Sequence, residues 1–305
     1  MIYTVTFNPS LDYVMFVPTL SVGGVSRATR ESIFPGGKGI NVAVVLERLG
    51  HPCTALGFCA GYTGQALLCM LQGHISHTDF IELPAGQNRI NVKIKSTQES
   101  DVNGRGPQVN AAQLQALLNK LDILQKGDVL VLSGAVCAGV EKDIYARILE
   151  KLQGRGVLCV VDAVGELLQK ALPFKPFLIK PNAAELADLF HVQINTERDL
   201  IHYAQQAQRA GAQNVLVSRG AQGALLLTAD EHCHLAPAVK LTRPVVNSVG
   251  AGDSMVAGFL AGWLKDQKYT TALHWALAAG GACVQNEWLP EQKDILAFLQ
   301  QENSL

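Results

Sequence analysis

Apolar positions along this chain fall into short continuous blocks separated by stretches with helical spacing. The blocks at 2–7, 54–58, 128–132, 157–161, 177–179 and 215–218 predict strands buried on both faces. Between them, 40–49, 64–71, 111–121, 142–152 and 198–209 repeat apolar residues every three to four positions, as amphipathic helices do. Alternation of this kind predicts an α/β fold with a mostly parallel sheet covered by helices on both faces. Beyond Ser254 the pattern is mainly helical. Gly258 and Gly262, four apart, would let that helix pack closely on a neighbour.

Two stretches break this rhythm. Residues 13–18 with 27–34, and later 89–95, alternate with period two and have no helix between the paired runs. In the second, Arg89, Asn91, Lys93 and Lys95 fall on one face and Ile90, Val92 and Ile94 on the other. Such strands predict a small β-sheet lid, formed by about 12–34 and 79–108, on a single domain spanning 1–305. There are no internal repeats, low-complexity segments or extended linkers.

Binding sites in sheets of this class lie beyond the carboxyl ends of the strands, so the loops after the blocks are where chemistry is expected. Pro35-Gly36-Gly37-Lys38-Gly39 opens a helix, and Lys38 puts a cation at an already positive helix end. An anionic ligand would resolve that conflict. Asn182 and Glu185 follow a buried strand and share one face of a helical turn. They read either as a capping box or as oxygen ligands for a water-rich Mg²⁺. Ser218 to Ala224 joins two strands with two turn glycines. Gly250-Ala251-Gly252 precedes Asp253 where a helix begins, which suits a plain helix cap or an anion site with a carboxylate beside it. No GxxxxGK[ST], strand-following GxGxxG or GxSxG is present.

Composition narrows the classes. The formal net charge of −1 gives no general electrostatic case for nucleic acid or anionic membrane. No apolar run reaches the roughly 18 residues of a membrane span, and MIYTVTFNPS lacks the layout of a signal peptide. The seven cysteines contain no CxxC and sit mostly inside apolar runs, as small buried hydrophobes of a reducing compartment. A cytoplasmic protein is expected. His74 with His77, and His232-Cys233-His234, imitate metal ligands but lack a second half at a recognisable spacing.

In this order, NPSLD (8–12), PGGKGINVA (35–43), NRINVKI (88–94), KPNAAEL (180–186), SRGAQGA (218–224) and NSVGAGDSMVAG (247–258) resemble the motifs of the PfkB or ribokinase-like carbohydrate kinases. The likeness covers nearly the whole chain and is nearest to the 1-phosphofructokinase and tagatose-6-phosphate kinase branch. It implies a ribokinase-like fold with a β-sheet lid, and an ATP- and Mg²⁺-dependent kinase of a ketohexose phosphate. Fructose 1-phosphate, giving fructose 1,6-bisphosphate, is the first expectation for the acceptor. Tagatose 6-phosphate is the alternative, and a non-catalytic sugar-phosphate-binding relative is the rival from another class.

The resemblance also implies residue roles. Asp253 would be the base, and the amides of Gly250, Ala251 and Gly252 an anion hole around the transferring phosphoryl. Lys180 would meet a nucleotide phosphate, with Ser218, Gly220, Ala221 and Gly223 lining the nucleotide. Asn182 and Glu185 would organise Mg²⁺ through water. Asp12, Gly37, Lys38, Asn41 and Arg89 would hold the sugar phosphate. Lids of this family often pack together, which implies a homodimer. The chain departs from the family pattern at Ser133 to Gly139, which lacks prolines, and at Arg219 and Ser248. It departs again at Gln285 to Trp288, in a region that often borders the adenine.

Overall fold

The computed structural model describes residues 1–302. The chain enters through β1 (Ile2–Thr6), an interior strand of a large sheet, and leaves for a hairpin of β2 (Ser10–Phe16) and β3 (Arg30–Gly36). It returns through α1 (Lys38–Arg48) to β4 (Cys53–Ala60). After α2 (Gly61–Leu71), the short β5 (His77–Thr78) and β6 (Ile81–Leu83) both pair with β4. Then β7 (Arg89–Lys95) and β8 (Ser100–Asn103) rejoin the hairpin, completing a small sheet in the order β3-β2-β7-β8.

Regular alternation follows: α3 (Ala111–Lys120), β9 (Val129–Ser133), α4 (Ile144–Leu152), β10 (Leu158–Asp162), α5 (Gly165–Ala171) and β11 (Leu178–Ile179). Next come α6 (Ala183–Phe190), α7 (Glu197–Arg209), β12 (Asn214–Ser218), and an antiparallel edge of β13 (Ala224–Leu227) and β14 (Cys233–Ala236). The chain finishes with α8 (Ala251–Asp266), α9 (Tyr269–Val284) and α10 (Gln292–Glu302). The large sheet runs β14-β13-β12-β11-β10-β9-β1-β4-β5 and is parallel from β12 to β5.

Period-two alternation divides each parallel strand between two cores. Val129 and Val131 of β9 face a core with α1, α8 and α9, while Leu130 and Leu132 face one with α3, α4 and α7. Both faces are dry, which is why these strands read as continuous apolar runs. The expected close helix packing is present. A Cβ on Gly262 of α8 would lie 2.8 Å from Ala272 Cα of α9.

The small sheet is polar toward the body and apolar toward solvent. Asn91 and Lys93 of β7 are buried, whereas Ile90, Ile33 and Val102 are 39%, 50% and 63% exposed. Its limits differ from those expected. The strands start at Ser10 and extend to Gly36, and the second excursion joins only from Arg89. Residues 81–83, expected in the lid, instead extend the large sheet beside β4 with Leu83 buried. A three-residue strand carries too little pattern to say which sheet it will join. The His232–His234 segment lies in the β13–β14 hairpin, and no cluster of three metal-ligating side chains occurs among the described residues.

Candidate active site

The turn from β3 into α1 carries the first group of polar residues. Gly37 caps α1 with φ 125°, in the region that favours glycine, and a Cβ there would lie 2.7 Å from Thr6 Cγ2 at the end of β1. The helix therefore starts directly over the carboxyl edge of the sheet. Lys38, its first residue, donates to Asp162 Oδ2 at 3.2 Å, and Lys180 Nζ lies 3.5 Å from Asp162 Oδ1. Asp162 ends β10 and is only 1% exposed. Burial pushes its carboxyl up, but Lys180 and then Lys38 outweigh that and hold it below its ordinary value. Burial works against charge on Lys38 too, yet Asp162, Asp253 and Glu185 together raise its pKa. The sequence suggested that Lys38 at a helix N-terminus needs an anionic ligand; the protein supplies that anion itself, as Asp162.

α8 begins on the opposite wall. Gly250 takes φ 82° and turns the chain so that the first amides of the helix, and Asp253 behind them, face the same cleft. Asn41 Nδ2 donates to Asp253 Oδ2 at 2.7 Å. Asn41, expected to hold the sugar phosphate, thus also fixes the carboxylate. Burial first, and the charge of Asp162 second, push the Asp253 carboxyl up to about 6. The Ala251 N–H donates to Ser248 O at 3.3 Å, within the turn. Of the three amides expected to form an anion hole, this one is engaged.

The small sheet closes the cleft from above. Asp12 Oδ1 accepts from Ser10 Oγ and from Asn91 Nδ2, each at 2.9 Å. Arg89 donates through Nε to Asn8 O at 3.0 Å and forms no ion pair among the described residues. Lys93 and Lys95, on the same strand, pair instead with Asp101 and Glu99. Of the four polar residues of β7, only Arg89 and Asn91 line the cleft.

Asn182 and Glu185 form a complete capping box at the start of α6. Glu185 N donates to Asn182 Oδ1, and Asn182 N to Glu185 Oε2. The plain structural reading is therefore present. It leaves Glu185 facing a cavity of about 350 Å³ together with Lys38, Lys180 and Asp253. A metal caged by several protein side chains does not fit this donor set. A magnesium ion that keeps most of its water beside phosphates does.

A second cavity of about 540 Å³ adjoins the first, and Asn182, Ser218 and Gly252 line both. Ser218, Gly220, Ala221 and Gly223 form one wall; Val239, Leu241, Leu277 and Val284 form an apolar one. Gly252 stands at the junction, where a Cβ would lie 3.0 Å from Lys180 Nζ. All sixteen residues expected at the site line one cavity or the other. Sequence reasoning missed Asp162, Ser10, Asn91 and the apolar wall. Asp162 had one signal, a carboxylate ending a wholly apolar strand at its ligand-binding end.

Comparison with known proteins gives a consistent result. Residues 5–289 match the model of the pfkB family carbohydrate kinases. The chain is 40% identical over 299 residues to a 1-phosphofructokinase of Bacillus subtilis, covering 98% of this chain and 97% of that protein. It is 36% identical over 281 residues to a D-tagatose-1-phosphate kinase of Bacillus licheniformis, covering 92% and 91%. The crystal structure of phosphofructokinase-2 from Escherichia coli in complex with substrates and products superposes with a TM-score of 0.91. That match has 29% identity and covers 98% of each chain.

Proposed function

Since the chain belongs to the pfkB family of carbohydrate kinases, we propose that it transfers a phosphoryl group from ATP to a ketohexose phosphate, most directly fructose 1-phosphate, giving fructose 1,6-bisphosphate. The observation that carries this reading is the meeting of the two cavities at Gly252. The apolar cavity suits a nucleobase, and the polar one is lined by three carboxylates, Asp12, Glu185 and Asp253, and three cationic side chains, Lys38, Arg89 and Lys180. Between them lies a helix N-terminus, where a phosphoryl group would be stabilised.

In this reading Asp253, held by Asn41, takes the proton from the acceptor hydroxyl as its oxygen attacks the γ-phosphorus. The amides at the start of α8 and Lys180 meet the charge of the transferring group, and ADP leaves toward Ser218 and Gly223. The Ala251 amide joins them only by exchanging its long bond to Ser248 O. Asn182 and Glu185 would hold Mg²⁺ through water, where it would offset phosphate charge. Asp12, with Ser10 and Asn91 behind it, orients the sugar. Arg89 is the cleft cation without an ion pair among the described residues, so it is the stronger candidate for the acceptor's non-reacting phosphate. Lys38, already paired with Asp162, is better placed at the reacting end. Seven free cysteines, five of them buried, support a reducing, cytoplasmic setting.

ADP release with fructose 1-phosphate, tagatose 6-phosphate, tagatose 1-phosphate and free fructose tests the reading. The fructose ester is expected to be turned over fastest. Free fructose should be poor, because Arg89 would then be enclosed without a partner. Equal turnover of fructose and its esters would defeat the argument from Arg89, and no turnover of any ester would defeat the kinase reading.

The outward apolar face of the lid, with Ile33, Ile90 and Val102 exposed, supports a homodimer through this sheet. Light scattering is expected to give twice the chain mass. Replacing Ile33 and Val102 with Lys should shift the protein toward the monomer; a wild-type monomer contradicts the proposal.

A further inference from the structure

The segment Glu287-Trp288-Leu289, which overlaps the stretch Gln285 to Trp288 that departs from the pattern expected beside the nucleotide, lines neither the apolar cavity nor the polar one. It lies in the turn after α9 and touches two moving parts of the proposed reaction at once. On the lid side, the Trp288 ring stacks on Phe34 of β3, with centroids 5.8 Å apart and planes within 8°. Glu287 pairs with Arg30 of the same strand. Phe34 is the register partner of Asp12 on β2, so the stack bears on the strand pair that presents Asp12 to the cleft.

On the other side, the segment braces the turn that starts α8. Asn247 Nδ2 donates to Glu287 O at 3.1 Å. A Cβ on Gly250 would lie 2.9 Å from Leu289 Cδ2, so Leu289 packs directly under that turn. Cys283 Sγ reaches Val249 O at 3.5 Å and Trp288 O at 3.8 Å. The joint is anchored to the body by Arg48, whose guanidinium lies 4.9 Å over the Trp288 ring. Arg48 also donates to Leu289 O at 2.7 Å and to Pro290 O at 3.1 Å. The Trp288 ring is half-buried, packs against the core that holds α1, α8 and α9, and meets His74 edge-on with centroids 5.1 Å apart.

The geometry points to Trp288 as a positioning residue that ties the lid strand β3 to the Val249-Gly250 turn, so that seating the sugar phosphate under the lid and aligning the start of α8 are one event. This rests on the kinase reading above. A shift of β3 also reaches α8 through the first turn of α1, where Asn41 holds Asp253. The Trp288 segment adds a second route, its ring on Phe34 and its flanking Glu287 O and Leu289 on the turn before α8.

Steady-state kinetics of the full chain test it, with sugar phosphate and ATP varied in turn and folding checked by thermal unfolding. One aromatic stack is worth a factor of about 2 to 12. Trp288→Ala is therefore expected to raise KM for fructose 1-phosphate and lower kcat together, by up to about tenfold. KM for ATP should change less. Trp288→Phe should restore most of the loss, because a phenyl ring still stacks on Phe34. Phe34→Ala should reproduce the defect from the lid side, and the double variant should be no worse than either single change. If Trp288→Ala does not fold, Phe34→Leu compared with Phe34→Tyr carries the same test. Losses that simply add, a change confined to the unfolding temperature, or kinetics within about twofold of wild type overturn the coupling. A wild-type protein that turns over no ester overturns the kinase reading and the coupling together, whereas normal wild-type turnover with unaffected variants overturns the coupling alone.

Discussion

Replacing Asp253 with Asn is expected to lower kcat by roughly 10²–10⁴-fold, the usual contribution of a positioned general base. Binding of ATP and of the sugar phosphate should change little. The substitution keeps an oxygen where Asn41 Nδ2 now donates, so the local hydrogen bond survives. The cap that the sequence suggested for Asp253 is not formed, since Gly250 holds the cap position of α8 and no side chain caps its first amides. A purely structural role would rest on the Asn41 bond, which Asn keeps, and so predicts near-normal turnover. The pH profile gives a second reading of the same group. Burial and Asp162 push the Asp253 carboxyl up to about 6. A base must be deprotonated to act, so kcat/KM for the sugar phosphate should fall as pH drops through about 6, and the same acidic limb should be missing from the residual activity of the variant. Substantial turnover by Asp253→Asn with an unchanged limb would remove Asp253 from the mechanism.

The parallel sheet was legible because strands buried on both faces have no polar alternation, and blocks such as 128–132 and 157–161 could hardly be anything else. The lid was legible for the opposite reason: the strict alternation of Arg89 to Lys95 demands two different faces. Its boundaries were not, because β5 and β6 are too short to show a period and their pairing with β4 is decided by tertiary contact. Asn182 with Glu185 was readable as a box from its spacing alone, and the structure contains that box. Asp162 stayed hidden. One carboxylate at a strand end looks like any solvent-facing turn residue. Only the convergence of β10, the end of β11 and the start of α1 brings Lys180 and Lys38 onto it.

That hidden carboxylate makes Asp162→Asn the more revealing substitution. Asp162 lies between two lysines and raises the pKa of Asp253, so removing its charge acts on all three groups. Lys38 and Lys180 lose the anion that orients them; a misplacement of about 1 Å at a reacting centre can cost around 10²-fold in rate. A loss of that order in the plateau kcat is expected. The acidic limb should also move. Without the charge of Asp162 the Asp253 carboxyl is less opposed in ionising, and the two lysines, no longer neutralised, favour the same anion. Both changes lower the pKa, so the limb shifts from about 6 toward more acidic pH. Removing one partner of a buried ion pair also destabilises the fold, typically by about 3–5 kcal/mol. Profiles must therefore be measured well below the unfolding temperature of the variant. A limb that stays at the wild-type position, in a protein shown to be folded, would mean that Asp162 does not set the ionisation of Asp253. Burial alone would then account for the raised pKa, and the two lysines would act on the phosphates independently of the carboxylate between them.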